Sequence, residues 1–249
     1  MTAPFPTHKQ EDWRYADLDA LLPVWEQLAE PVTLTVGAGE SLEKVWLPDA
    51  DEVQLRRVQF ALGAGARARI FVLNSAAVYG RTELQVSLAE GADFELFGAN
   101  IGSGLSTNEI VTTVKHAGPG GRSRQVIRSV LNGKAVGSYL GKIEVSRGAQ
   151  QTDAEQSAKA MLLDRGATAN CKPELEIFAD DVMCAHGATV GELDAMQLFY
   201  AESRGLDPAS ARALLLEGFV MGLWDQVADG AQRDAICEAA RDALRKAAK

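Results

Sequence analysis

The chain has 249 residues, enough for one large domain, and its 47% hydrophobic and 24% charged residues are ordinary for a globular protein. A net charge of −9 argues against nucleic-acid binding, because an acidic surface repels a phosphate backbone. Three cysteines, no signal-peptide pattern and no apolar run of membrane-spanning length predict a protein of the reducing cytoplasm, with no membrane partner.

Residues 1–31 are predicted to form a short N-terminal helical segment. Asp17 is placed to cap the start of a helix, whereas Pro23 interrupts the pattern and predicts a kink or a later start. Pro31 ends the segment. Apolar residues recur at helical spacing at Leu18, Leu21, Leu22, Trp25 and Leu28.

Residues 32–190 are predicted to be a core of β-strands. Short runs rich in β-branched and aromatic residues alternate between apolar and polar or are apolar throughout, and few helical patterns separate them, which disfavours a doubly wound α/β fold. The predicted strands are VTLTV (32–36), RARIFVL (67–73), TELQVSL (82–88), DFELFGA (93–99), EIVTTVKH (109–116) and ELEIFAD (174–180).

A weak repeat of Gly-Ala pairs punctuates this core. The pairs begin at residues 65, 91, 148, 166 and 187, and each is predicted to mark a strand boundary. Glycine permits the positive φ of a tight corner, and alanine fits where coils stack closely. The repeat alone favours a β-solenoid and a β-sandwich equally.

Residues 191–249 are predicted to form a C-terminal helical domain. Asp207 and Pro208 resemble an N-cap followed by proline at the first helical position, and Gly205 resembles the stop of the preceding helix. The helix over 213–228 is apolar on most sides, so either it forms the core of a small helical cap or part of its surface binds another protein. The residues predicted to bind that partner are Leu216, Phe219, Val220, Leu223 and Trp224.

The strongest chemical candidate is the pair Cys184 and His186. In a strand, residues i and i+2 point to one face, so a thiol and an imidazole would stand side by side as half of a site for iron or zinc. Gly187 and Ala188 are predicted to turn the chain directly afterwards. The alternative is a core cysteine beside a histidine that stabilises this turn.

Other active-site patterns are weak. With three histidines and no Gly-x-Ser-x-Gly elbow, a nucleophilic triad is not indicated, and the absence of a phosphate-binding loop argues against ATP binding. His116 is predicted to be a solvated loop residue. Asp180 and Asp181 are consistent with a β-helical carbohydrate-active enzyme, but adjacent strand residues face opposite sides and cannot share one cleft.

Four segments resemble one known family in order and spacing. KPELEIFADDVMCAHGATVGELD (172–194) is similar to the signature of SufD members of the SufB/SufD family of iron–sulfur cluster assembly proteins. SAKAMLLDRGATA (157–169) and LFYAESRGLDPASARALLLEGFV (198–220) fit the same family, and EDWRYADLDAL (11–21) resembles its N-terminal tag. The segment 32–150 carries no such motif.

The resemblance implies a right-handed parallel β-helix and a non-enzymatic scaffold subunit. It implies pairing with a SufB-like subunit through the β-helix and docking of a SufC-type ABC ATPase on the C-terminal helices. It also implies that His186 lies at the subunit junction and is needed for cluster assembly, with a less defined role for Cys184. No cofactor is expected to stay bound, although iron or a nascent cluster would be held transiently.

The same resemblance leaves alternatives open. The chain moves from its N-terminal tag to strands without the long helical region usual in the family, so a compact form is expected, and the resemblance leaves its partner geometry open. No cysteine lies around 157–163, where the SufB partner carries its cluster-building thiol, which argues for the SufD side of the family. A self-pairing homodimer and a purely structural tether remain the rival readings.

Overall fold

The computed structural model describes residues 4–28, 30–49 and 52–248. The N-terminal segment consists of single helical turns rather than one helix: 3-10 turns at Glu11–Trp13 and Leu22–Val24, with α1 (Leu18–Leu21) and α2 (Trp25–Leu28) between and after them. The predicted cap is confirmed, because the Ala20 backbone N–H donates to Asp17 Oδ1 at 3.0 Å. Pro23 lies in the second 3-10 turn, which accounts for the break.

The described residues then form twelve β-strands, most of them ten residues long. They are β1 (Val32–Val36), β2 (Ser41–Trp46), β3 (Val53–Leu62), β4 (Arg67–Asn74), β5 (Tyr79–Leu88), β6 (Asp93–Gly102), β7 (Thr107–His116), β8 (Arg122–Leu131), β9 (Val136–Val145), β10 (Thr152–Leu162), β11 (Thr168–Ile177) and β12 (Val182–Glu192).

These strands form two parallel sheets, and successive strands along the chain belong to the two sheets in turn. The odd sheet has the order β1-β3-β5-β7-β9-β11, and the even sheet has the order β12-β10-β8-β6-β4-β2. The chain therefore crosses from one sheet to the other at each step, and each coil adds one strand to both. This topology confirms the predicted parallel β-helix and excludes the sandwich.

The predicted Gly-Ala strand boundaries are confirmed at the first four pairs, each of which lies between two consecutive strands. Gly65 and Gly91 have φ values of 65° and 63°, where a side chain would be strained, and the alanines that follow them are fully buried. The predicted turn at Gly187 and Ala188 is wrong. β12 runs through both residues to Glu192, because its pairing with β10 continues in register over its whole length.

The interior of the coils is a stack of apolar side chains, and the outer faces carry charges in register. Phe60, Leu84 and Phe94 are 2% exposed or less, within one continuous core. Because parallel strands align equivalent positions, opposite charges meet on the outside, as where Arg69 Nε donates to Glu95 Oε2 at 2.7 Å. The ion pairs on the outer faces are therefore consistent with the strand register that stacks the apolar core.

The N-terminal segment covers a buried polar cluster on the outer face of the odd sheet. The Arg81 guanidinium lies 3.7 Å from the centre of the Trp13 ring and donates to Glu109 and to Glu83. The Tyr79 hydroxyl donates to Glu109 Oε2 at 2.7 Å. The two carboxylates and the aromatic cover offset the cost of burying the positive charge of Arg81.

The C-terminal helices cover the outer face of the even sheet. They are α3 (Ala195–Ser203), α4 (Pro208–Val220), a 3-10 turn at Met221–Trp224 and α5 (Gly230–Ala247). The predicted cap is confirmed, since Asp207 accepts hydrogen bonds from the backbone N–H groups of Ala209 and Ser210. No helix in the described ranges has the length and apolar character needed to span a bilayer.

The apolar stripe of α4 and of the 3-10 turn after it packs against the chain's own even sheet. It therefore does not form the exposed partner-binding surface that the sequence predicted. Leu216, Val220 and Trp224 are fully buried, Leu223 is 5% exposed, and they pack on outward-facing strand residues such as Phe97. Phe219 is partly buried, and the Arg128 guanidinium lies 5.8 Å from its ring centre. The apolar helix contacts the apolar part of the outer face of the chain's own even sheet, which includes Phe71, Phe97 and Val130.

Candidate functional site

The last coil leaves the β-helix open at one end. Within the described chain, β12 pairs only with β10 and β11 pairs only with β9, so each sheet ends in an edge strand. We call β11, β12 and the loop 178–181 between them the open end. Edge strands offer unpaired backbone groups to another chain. Apolar side chains at the open end are exposed, namely Ile177, Phe178, Met183 and Val190.

Cys184 and His186 lie on β12 and share its inner face. Cys184 is the in-register partner of the buried Ala154 and packs against the core of the last coils. His186, two residues later, is the partner of the buried Gln156 and is itself exposed. The alternation of a strand therefore brings the two donors together at the open end.

The two thiols near this end are poor ligands in their resting state. Burial and the neighbouring Asp153 carboxylate raise the pKa of the Cys184 thiol, and burial raises the pKa of Cys171. Cys171 lies on β11, in register with the inward-facing Tyr139. Metals bind the thiolate rather than the thiol, so both residues favour the protonated, non-ligating form.

The acidic residues close to the pair in sequence do not join it. Glu174 and Glu176 lie on the outer face of β11, where they form ion pairs with Lys172 at 3.2 Å and Lys142 at 2.6 Å. Lys172 also contacts Glu11 of the N-terminal segment at 2.6 Å. Across the part of the chain that the structure describes, no three residues among His, Cys, Asp and Glu gather as a metal site. Within those described residues, His186 and Cys184 therefore have no third metal-binding side chain beside them.

Two buried glutamines stack in register beneath His186, and the sequence did not predict this polar column. Gln125 and Gln156, 0% and 1% exposed, lie in register with His186 on β8, β10 and β12. Thr112 Oγ1 and the Tyr139 hydroxyl donate to Gln125 Oε1 at 2.6 and 3.2 Å. The three column positions recur 31 and 30 residues apart, so a search at the coil period would have found them.

His116 is a buried structural residue, and its predicted place in a solvated loop is wrong. It ends β7 with no exposed surface, and its Nε2 lies 2.9 Å from Ser123 Oγ. Burial lowers the pKa of His116 to about 4, so it is neutral at physiological pH. It stands well inside the solenoid and contributes nothing to the open end.

A second exposed apolar surface lies on the C-terminal helices. Its members are Met196, Phe199, Tyr200 and Leu214, which are 72%, 66%, 60% and 57% exposed, and we call it the helical patch. These side chains lie on two helices that contact each other, and large exposed apolar side chains on neighbouring helices are typical of protein-binding surfaces. Met196, Phe199 and Tyr200 lie on α3, and only Leu214 shares α4 with the buried stripe.

Comparison with known proteins agrees with this architecture. Residues 32–219 match the family model described as "SUF system FeS cluster assembly, SufBD core domain". An iron–sulfur cluster assembly SufBD family protein of Synechocystis is 33% identical over 178 residues, which cover 71% of this chain and 39% of that relative. The iron–sulfur cluster assembly protein SufD of Escherichia coli is 36% identical over 107 residues, or 43% of this chain and 25% of that relative.

A plant relative shows the same pattern of partial coverage. The chloroplastic protein ABCI7 of Arabidopsis thaliana is 44% identical over 104 residues, covering 41% of this chain and 22% of its own length. The matched region thus spans less than half of these curated relatives. The family match itself extends from the first strand to α4, so this chain belongs to the SufBD core family of the SUF iron–sulfur cluster assembly system.

Proposed function

We propose that this chain is a non-enzymatic scaffold subunit of a SUF-type iron–sulfur assembly complex, in which His186 offers a ring nitrogen to iron or to a nascent cluster. The observation that carries the proposal is the position of His186, exposed on an edge strand at the open end. A ligand on an unpaired edge can be shared with a second chain that pairs there.

The donor set suits iron that is held briefly and then passed on. A neutral imidazole binds iron without first losing a proton, whereas the Cys184 thiol, with its raised pKa, must ionise before it binds. One or two ligands from this chain are too few for a tight site, so the remaining ligands come from a partner. Iron is here the cargo of the complex rather than a resident cofactor.

We assign the open end to a SufB-like partner. The backbone edge of β12 provides hydrogen-bonding groups, and Phe178, Met183 and Val190 provide apolar area around them. A second copy of this chain is the alternative occupant, since it presents the same edge. Native mass spectrometry of the chain alone and with a SufB-like subunit separates the two cases.

We assign the helical patch to the SufC-type ABC ATPase. The buried stripe of α4 holds the helices on the even sheet, which leaves Met196, Phe199 and Tyr200 on the outside. In this arrangement the ATPase and the SufB-like partner contact different parts of the chain.

The test is co-expression of this chain with a SufB-like and a SufC-type subunit. His186→Ala is expected to leave the purified complex intact and to lower its iron–sulfur absorbance severalfold. His8→Ala, a change in the N-terminal segment, is the matched control. Normal cluster yield in the His186→Ala complex would remove the assigned role and leave a structural tether.

A further inference from the structure

A buried amide lies directly beneath the imidazole at the open end. Gln156 on β10 is the in-register partner of His186 on one side and of Gln125 on the other. In-register partners of a parallel sheet stand about 4.8 Å apart and project from the same face. The side chain of Gln156 therefore points along the interior of the last coil, one strand below the exposed ring.

The amide of Gln156 is buried and unused. Its side chain is 1% exposed, and neither Oε1 nor Nε2 has a hydrogen-bond partner among the described residues. Gln125 Nε2, one coil further in, also lacks one in the described chain. Buried amide groups without partners are costly and uncommon, so each calls for an explanation.

The backbone around this amide leaves it room. A Cβ added at Gly141 would stand 2.8 Å from Gln156 Oε1 and 2.2 Å from the Tyr139 hydroxyl oxygen. Any residue larger than glycine would take the place of these polar groups. Glycine at residue 141 thus leaves space for the polar atoms of Gln156 and Tyr139.

We propose that Gln156 is a positioning residue for His186. Its amide oxygen accepts a hydrogen bond from the inner ring nitrogen of His186, which leaves the lone pair of the outer nitrogen free for iron. Metal-binding histidines ordinarily donate their second N–H to such an acceptor, which fixes both the tautomer and the ring direction. The inference rests on the proposed function of His186.

One arrangement provides partners for all three unused polar atoms. Gln156 Nε2 then donates to Gln125 Oε1, and Gln125 Nε2 donates to the hydroxyls of Thr112 and Tyr139. A half-turn of each amide exchanges its oxygen and nitrogen with little change in shape. The hydroxyls accept as readily as they donate, so the inner end of the column accommodates either direction.

A partner at the open end would strengthen this bond. His186 is exposed in the single chain, where water competes for its ring nitrogens. A strand paired with β12 excludes that water, and a hydrogen bond gains strength in a less polar environment. Partner binding and ring orientation are in this way linked through one buried side chain.

The test compares Gln156→Leu with wild type in the full chain. ¹⁵N NMR of the ring nitrogens, at an alkaline pH where imidazoles are neutral, reports the tautomer of His186, and His186→Ala assigns its signals. Wild type is expected to favour one tautomer, and Gln156→Leu to return His186 to the mixture of a free imidazole. Gln156→Met, similar in length but without the amide, replaces Leu if that variant does not fold.

Metal binding provides the second readout, with Co²⁺ alone as the probe. Gln156→Leu is expected to weaken Co²⁺ binding about tenfold or more, and to have no further effect in the His186→Ala background. Gln85→Leu, the same change on the exposed face of β5, is the control and should bind as wild type does. A tautomer unchanged by loss of the amide overturns the inference.

The two proposals fail in different ways. If His186→Ala leaves Co²⁺ affinity unchanged, the proposed function fails, while the NMR result still decides the hydrogen bond. If His186→Ala weakens binding and Gln156→Leu does not, the positioning role fails and the role of His186 stands.

Discussion

Replacement of Trp224 by alanine tests whether the apolar stripe of the C-terminal helices is internal. Trp224 is fully buried in the cluster that joins these helices to the even sheet. Removal of a buried tryptophan side chain costs about 3–5 kcal/mol of unfolding free energy, through lost burial and the cavity left behind. Domains are stabilised by about 5–15 kcal/mol in all, so the loss should be large and easily measured.

The matched control is Phe199→Ala in the helical patch. Phe199 is 66% exposed, so this change should alter the unfolding free energy by less than about 0.5 kcal/mol while weakening capture of the ATPase. Urea unfolding followed by far-ultraviolet circular dichroism measures both variants. A cost below about 1 kcal/mol for Trp224→Ala, together with lost ATPase capture, would show that the stripe faces a partner and refute this reading.

Three further changes probe the rest of the molecule. Trp13→Ala should cost about 3–5 kcal/mol in urea unfolding because it uncovers the buried Arg81, and a cost near zero would contradict the covering role of the N-terminal segment. The folded-state pKa of His116, about 4, lies below the ordinary value of 6.5, so the unfolding free energy should fall as the pH drops from 6.5 towards 4, by at most about 1.4 kcal/mol per pH unit. His116→Gln should flatten this pH dependence. An unchanged pH dependence in that variant would show that a different group causes it. Met183→Lys and Val190→Lys, at exposed sites of the open end, should leave thermal unfolding unchanged but reduce co-elution with a SufB-like subunit, and normal co-elution would move the interface elsewhere.

Several of the strands that the sequence predicted have conspicuous apolar patterns, but β3, β8 and β9 were missed although they place Phe60, Ile127 and Ile143 inward. β5, β6 and β7 place large apolar residues inward, so their alternation is visible. β10 was missed because its inward positions hold Ala154, Gln156 and Ala158, which are small or polar. Small and polar inward residues leave little hydrophobic signal in a single sequence.

The C-terminal stripe was misassigned because its partner lies far away in the chain. Phe71 and Phe97 face outward from β4 and β6, and their rings stack with centres 5.4 Å apart under the helices. Strands that are apolar on both faces indicate a sheet covered on both sides. The apolar run at 67–73 carried that signal, and it identifies the internal partner of α4.

The candidate site was predictable in part. Strand alternation placed Cys184 and His186 on one face, and the structure agrees. Their position at an edge depends on where the coils stop, which no local pattern specifies. The buried Gln156 became visible only when residues one coil apart were aligned by strand register.

The most direct measurement is X-ray absorption spectroscopy of iron bound to the complex of this chain with its SUF partners. The account predicts a nitrogen ligand on iron in the wild-type complex and its loss in His186→Ala, with no change in His8→Ala. An iron environment of sulfur and oxygen alone, identical in all three complexes, would contradict it.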